Sequence, residues 1–159
     1  RYAARCQVAP QMTSDALKIG VVAADDERSV RVDRPLSLAY IGDAVWELYV
    51  RHHLLASGMI KPHDLQKQSI RFVSAKAQAT ALKQLLPKLT EVERDVVRRG
   101  RNAKSKTTPK NATVLDYRHS TAMEALVGFL YLTDQISRLT QLMDWVIETV
   151  ETEGNRADE

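Results

Sequence analysis

Residues 36–55 read LSLAYIGDAVWELYVRHHLL, and the rest of the chain is expected to be organised around them. Leu38, Ile41, Val45, Leu48, His52 and Leu55 follow i, i+3, i+4 spacing and form one apolar stripe of a helix. The stripe through Leu36, Tyr40, Asp43, Glu47, Val50 and Leu54 is apolar at both ends and acidic in the middle. A helix hydrophobic nearly all round is normally buried, and carboxylates are rarely buried without a partner. Asp43 and Glu47, one turn apart, therefore need a cation, a basic side chain or water. A divalent metal would meet that need, and so would a structural Arg. Ser37 can serve as the N-cap of this helix and Gly58 as its stop.

Outward from this helix the pattern stays helical. Lys61-Pro62-His63 leads into a short helix over about 64–72, with Leu65 and Ile70 facing inward. Ser74 can cap a helix that ends by Pro87, and Thr90-Glu91-Val92-Glu93 is a capping box for one that stops at Gly100. A long loop rich in Lys, Thr and Asn precedes a helix from about Val114 to Leu132. Asp134 can cap the last helix, whose stripe is Ile136, Leu139, Met143, Val146 and Val150. No strand-like alternation runs long enough to count, so the fold class is all-α. Residues 35–151 make one domain between an arm, 1–34, and a polar tail, 152–159. The arm lacks sustained periodicity and is expected to be disordered, apart from a short helix near Ser14–Ile19. Its start, RYAARCQVAP, has Arg and Ala but no acid before Asp15. That composition resembles the tail of an organelle transit peptide, and an expression or gene-model remnant explains it equally well.

With 159 residues, 44% hydrophobic and 27% charged, the chain can bury a real core as one domain. A single Cys6 excludes an internal disulfide. No apolar run approaches the roughly 20 residues of a membrane span. The net charge of +3 is ordinary, but its distribution is not. Residues 98–118 hold seven Lys/Arg against one acid, Asp116, so this segment carries +6 and the remainder about −3. Charge gathered in one segment points to a polyanionic partner. Arg98, Arg99, Arg101, Lys104, Lys106 and Lys110 alternate with Asn102, Ser105 and Thr107, donors suited to phosphates and 2′-hydroxyls. Duplex RNA is read mainly by shape and backbone, a task for such a loop; a merely solvated charge run is the plainer reading.

Glu124 repeats the anomaly of Asp43. It lies mid-helix among Ala122, Met123, Ala125, Leu126 and Val127, with Gly128 one turn on. A Gly inside a helix costs about 1 kcal/mol against Ala, and close backbone packing is a reason to keep it. Gly42, beside Asp43, invites the same explanation. Helices touching at Gly42 and Gly128 would bring Asp43 and Glu124 together, where two carboxylates repel unless one is protonated or a cation intervenes. Hard oxygen ligands completed by water describe a Mg²⁺ site. The alternative pairs Glu124 with Arg118 or Arg71. No GxSxG, HExxH or Walker pattern competes, and His52, His53, His63 and His119 lack partners at zinc spacing.

Tyr40-Ile41-Gly42-Asp43-Ala44-Val45 resembles the FLGDAV core of the ribonuclease III signature helix. Thr121-Ala122-Met123-Glu124-Ala125-Leu126-Val127-Gly128 resembles that family's DxxEAxIG helix. Between them, Phe72 to Ala79 (FVSAKAQA) and Arg98 to Ser105 (RRGRNAKS) fall in the order of Mini-ribonuclease III, the short bacterial and plastid branch without a double-stranded-RNA-binding domain. The likeness covers roughly residues 36–142.

The resemblance implies a Mg²⁺-dependent endoribonuclease acting on double-stranded or structured RNA in maturation of large-subunit (23S) ribosomal RNA. Asp43 and Glu124 would be its catalytic, metal-holding acids. Full-length ribonuclease III has acids where Ala39 and Thr121 stand here, losses that Mini-ribonuclease III shares. Glu47 and Thr121 are then candidates to orient the metal's water. The family also implies a homodimer through the first helix, with Tyr40, Ile41 and Trp46 at the interface, in the bacterial cytoplasm or a plastid stroma. Trp46, with Trp145, Tyr49 and Phe129, equally suits a core position. The rivals are a non-catalytic RNA-binding or ribosome-associated module on the same fold and a helical protein-interaction domain, which would leave the basic loop unexplained.

Overall fold

The computed structural model describes residues 34–104 and 113–157, with side chains through residue 153. These residues form α1 (Pro35–Ala56), α2 (Pro62–Val73), α3 (Ala75–Leu85), α4 (Glu91–Asn102), α5 (Val114–Leu132) and α6 (Ile136–Ala157), with a 3-10 turn at Leu86–Lys88. Among the described residues there is no strand, as the composition and periodicity require. The expected helix near Ser14–Ile19 lies outside them. No helix among them is long and apolar enough to cross a membrane.

The centre of the bundle is α5 as much as α1. It packs against α1, α3, α4 and α6, and Ala122, Met123, Ala125, Leu126, Val127 and Leu130 are completely covered. Each buried Leu, Val or Met side chain contributes roughly 1.5–3 kcal/mol, so this helix anchors the fold through burial. The α6 stripe of Ile136, Leu139, Met143, Val146 and Val150 is buried as its spacing requires. That helix runs on past Glu151 to Ala157, into the expected polar tail.

Helix boundaries follow local chemistry, with three departures from expectation. Ser74 caps α3, its Oγ accepting from the Ala77 N–H, and the Thr90–Glu93 capping box opens α4 with both reciprocal bonds in place. Gly58, at φ 88, ends α1 in the left-handed conformation that a residue without Cβ adopts freely. However, α1 starts at Pro35, ahead of Ser37, because proline's fixed φ and missing N–H suit a first helical position. Asp134 is not a cap; it sits at φ 57 in the turn between α5 and α6. Gly100 does not stop α4 either. A Cβ there would lie 2.9 Å from the Ala122 Cα, so this glycine lets α4 press against α5 and the helix continues to Asn102.

The closest approach joins α1 to α5. A Cβ on Gly42 would stand 1.8 Å from the Glu124 carbonyl oxygen, and one on Gly128 would stand 2.0 Å from that of Leu38. Real Cβ atoms do not come this near, so no other residue fits at either position without moving a helix. The two glycines thus pair as the sequence implied.

Candidate active site

The Gly42–Gly128 crossing places Asp43 and Glu124 side by side across α1 and α5. They border an open cleft of about 420 Å³ lined also by Leu36, Ala39, Tyr40, Ile41, Ala44, Tyr117 and Thr121. Burial, then the charge of Asp43, pushes the Glu124 carboxyl up to about 7. Burial, then the nearby charge of Glu47, raises Asp43 as well. A hydrogen bond between the two carboxyls opposes these effects at Asp43 and adds to them at Glu124, so the two titrate as a coupled pair.

No described Lys or Arg neutralises the pair. Neither acid makes an ion pair among the described residues, and Arg71 instead donates to the Gln68 side chain at 2.8 Å. The pairing of Glu124 with Arg118 or Arg71 is therefore not formed. What reaches Glu124 is a neutral amide: Gln78 Nε2 donates to Glu124 Oε1 at 3.4 Å. Sequence reasoning did not single out Gln78. Its signal was legible, because Gln78, Leu82 and Leu85 stand at i, i+4, i+7 and all three are buried.

The remaining expected residues divide. Thr121 lines the cleft and its hydroxyl donates to the Tyr117 carbonyl at 3.0 Å. Ala39 lines it too, so both positions that hold acids in full-length ribonuclease III face this space. With alanine and threonine there, no group of three His, Cys, Asp or Glu that could hold a metal forms among the described residues, and the acid set is a pair. Glu47 is not in the cleft lining; its Oε2 accepts from Arg51 Nε at 3.0 Å and Nη2 at 2.8 Å. It influences Asp43 by charge alone.

Trp46 is a correction. It is fully buried, its indole N–H donating to the Phe72 carbonyl at 3.2 Å, and it cannot join an interface face. Tyr40 is the opposite case, 86% exposed, with Leu36, Val114 and Leu115 also exposed. Ile41 is half-buried against Gly128 and lines the cleft.

Of the basic segment, Arg98, Arg99, Arg101 and Asn102 form the last turns of α4 rather than a loop. Arg98 and Arg99 both pair with Asp95, the latter at 3.0 Å. Arg101, Asn102 and Lys104 are exposed. Ser105, Lys106 and Lys110 lie outside the described residues.

A bundle of helices crossing at paired glycines beside two acids is a ribonuclease III domain, and residues 36–135 match the Ribonuclease III domain model. The chain is 48% identical over 127 residues to Mini-ribonuclease 3 of Brevibacillus brevis, covering 80% of this chain and 95% of that one. It is 49% identical over 117 residues to Mini-ribonuclease 3 of Symbiobacterium thermophilum, covering 74% and 90%. A Fusobacterium nucleatum protein solved by X-ray crystallography superposes with a TM-score of 0.69 at 32% identity, over 76% of this chain and 97% of its own. The chain belongs to the ribonuclease III family, in its Mini-ribonuclease III branch, and is an endoribonuclease.

Proposed function

We propose that the chain cleaves double-stranded RNA by Mg²⁺-dependent hydrolysis at Asp43 and Glu124, working as a homodimer, with precursor large-subunit (23S) ribosomal RNA as substrate. The observation that carries this reading is the acid pair itself. Two carboxylates are forced together by backbone contact, with no basic partner among the described residues and with one of them raised to about 7. Such a pair gains most from a hard divalent cation, and its oxygens are the donors that Mg²⁺ prefers. When bound, the ion supplies positive charge that offsets charge developing on the scissile phosphate and favours deprotonation of the attacking water. Asp43 and Glu124 would hold it. Thr121 borders the cleft and Glu47 adds negative charge beside Asp43. Hydrolysis that breaks the P–O3′ bond leaves a 5′-phosphate and a 3′-hydroxyl.

Lys104, Arg101 and Asn102, exposed where α4 leads into the basic segment, suit the phosphate backbone of a duplex, with Arg98, Arg99, Ser105, Lys106 and Lys110 as further contacts. The homodimer reading rests on Tyr40 and Leu36, exposed apolar residues that line the acid cleft, with Val114 and Leu115 also exposed at the start of α5. Pairing of that face would set two acid sites toward one duplex, one for each strand. The substrate rests on the family resemblance, and the bacterial relatives support a cytoplasmic location. The test is incubation of purified protein with duplex RNA, with and without Mg²⁺, scored for 5′-phosphate ends, beside sedimentation of wild type and Tyr40→Asp. Cleavage only with Mg²⁺, and a wild-type dimer that Tyr40→Asp dissociates, are expected. Full activity in chelator would overturn the metal assignment, and a fully active wild-type monomer would overturn the dimer.

A further inference from the structure

α3 packs on α5, and the side chains it buries, Ala79, Ala81, Leu82 and Leu85, are small and apolar with a single exception. Gln78 is 2% exposed and carries the only buried polar side chain on that helix. Packing alone does not explain it, since a methionine of similar length would fill the space without burying an amide. A buried amide is kept where it has a polar partner, and the partner of Gln78 Nε2 is Glu124 Oε1 at 3.4 Å. That distance is longer than an ordinary amide hydrogen bond, and a charged acceptor strengthens such a contact.

The chemistry of the donor matters. A Lys or Arg at this place would orient Glu124 and also cancel its charge, leaving less attraction for a divalent cation. An amide orients the carboxylate and leaves its charge in place. It is also a donor at every pH, so its hold does not switch. The geometry points to Gln78 as a positioning residue: through its amide N–H it fixes one oxygen of Glu124, so that the carboxylate is set for a divalent cation shared with Asp43. This inference rests on the proposed cation site, and it adds a third helix to the two that bear the acids. The cation's hold on α5 would then depend on how α3 is seated.

The test is Gln78→Met, with Gln78→Asn as a second variant whose shorter amide falls short of Glu124. Mn²⁺ binding to the RNA-free protein is measured by electron paramagnetic resonance titration, with Asp43→Asn as a control for the site. The Mg²⁺ concentration at half-maximal cleavage, and KM for duplex RNA at saturating Mg²⁺, complete the set. Expected are Mn²⁺ affinity about tenfold weaker in both variants, a matching rise in the Mg²⁺ requirement, and an unchanged KM. If Gln78→Met does not fold, the same values are read from Gln78→Asn. Wild-type binding that Asp43→Asn removes but the Gln78 variants leave intact would overturn the role of Gln78 while the site stands. Saturable binding absent from wild type itself would overturn both.

Discussion

Among the described residues two glutamates sit between helices, Glu93 buried and Glu124 half-buried, and end in opposite states. Glu93, at the start of α4, is 3% exposed, and burial alone would raise its carboxyl. Hydrogen bonds overcome that. Arg138 donates from Nε to Oε1 at 2.8 Å and from Nη2 to Oε2 at 2.9 Å, and the Thr90 N–H donates to Oε2 at 2.8 Å. Its carboxyl is held below the usual range. Arg138 also donates to the Lys88 carbonyl and, with Lys88, lies against the Trp145 ring, so the corner is tied from four sides. Glu124 has one neutral donor and a second carboxylate for a neighbour, and it is raised to about 7. Where a buried acid serves structure, its surroundings complete it. At the proposed site they leave it short of a cation.

The largest effect that would test this contrast is on cleavage. Asp43→Asn and Glu124→Gln should each lower the cleavage rate by more than about a hundredfold at saturating Mg²⁺, since each removes a charge from the proposed cation site. Neither should lower the melting temperature in metal-free buffer, because each also removes a repulsion. A variant that melts early would place its acid with Glu93, as structure. Next comes Gly42→Ala, whose Cβ would collide with the Glu124 carbonyl oxygen at 1.8 Å. Separating α1 from α5 should cost about 3 kcal/mol of stability and reduce cleavage together, measured by thermal unfolding and turnover. Arg138→Met should cost about 2–3 kcal/mol by leaving Glu93 buried without its partner, yet leave turnover per folded molecule unchanged.

The smallest effect is on pH dependence, where the two glutamates should have opposite signs. Glu93, with its pKa lowered, contributes stability that is present above its ordinary value of 4.5 and lost as pH falls. Glu124, with its pKa raised from 4.5 to about 7, contributes stability present at acid pH and lost as pH rises through that window. Without metal, Glu124→Gln should therefore gain on wild type in melting temperature as pH climbs from 4.5 to about 7, and keep that gain above it. Curves that stay parallel would mean the carboxyl ionises without cost.

The sequence carried the fold because its strongest signals are local. The Thr90 capping box, the α6 stripe and mid-helix glycines beside acids each say something about backbone that tertiary packing did not overrule. Gly100 shows the limit: a glycine beside basic residues reads as a helix end, and only the nearness of Ala122 reveals it as a contact. Trp46 shows another. α1 is apolar on both stripes, so hydrophobicity could not say which large residue faces out. The positions of Tyr40 and Trp46, about 120° apart on a helical wheel, are too far round to share a narrow face. The acid pair was legible because carboxylates stood where apolar residues belong. Gln78 broke the same rule more quietly, since an uncharged residue in an alanine-rich helix excites less suspicion than a charged one.

The glycine crossing has a consequence for how this chain can change over time. Each glycine meets the carbonyl four residues before the other, Leu38 against Gly128 and Glu124 against Gly42, so the separation of the helices is set by main chain against main chain. Side chains beside the crossing can then be exchanged without altering the gap. Asp43 can lose its charge while the scaffold persists; its neighbour Gly42 cannot gain a single methyl. A position the scaffold does not depend on and one it cannot alter are joined by one peptide bond. On the role proposed for Asp43, one substitution there would silence the nuclease and leave the bundle intact for other uses.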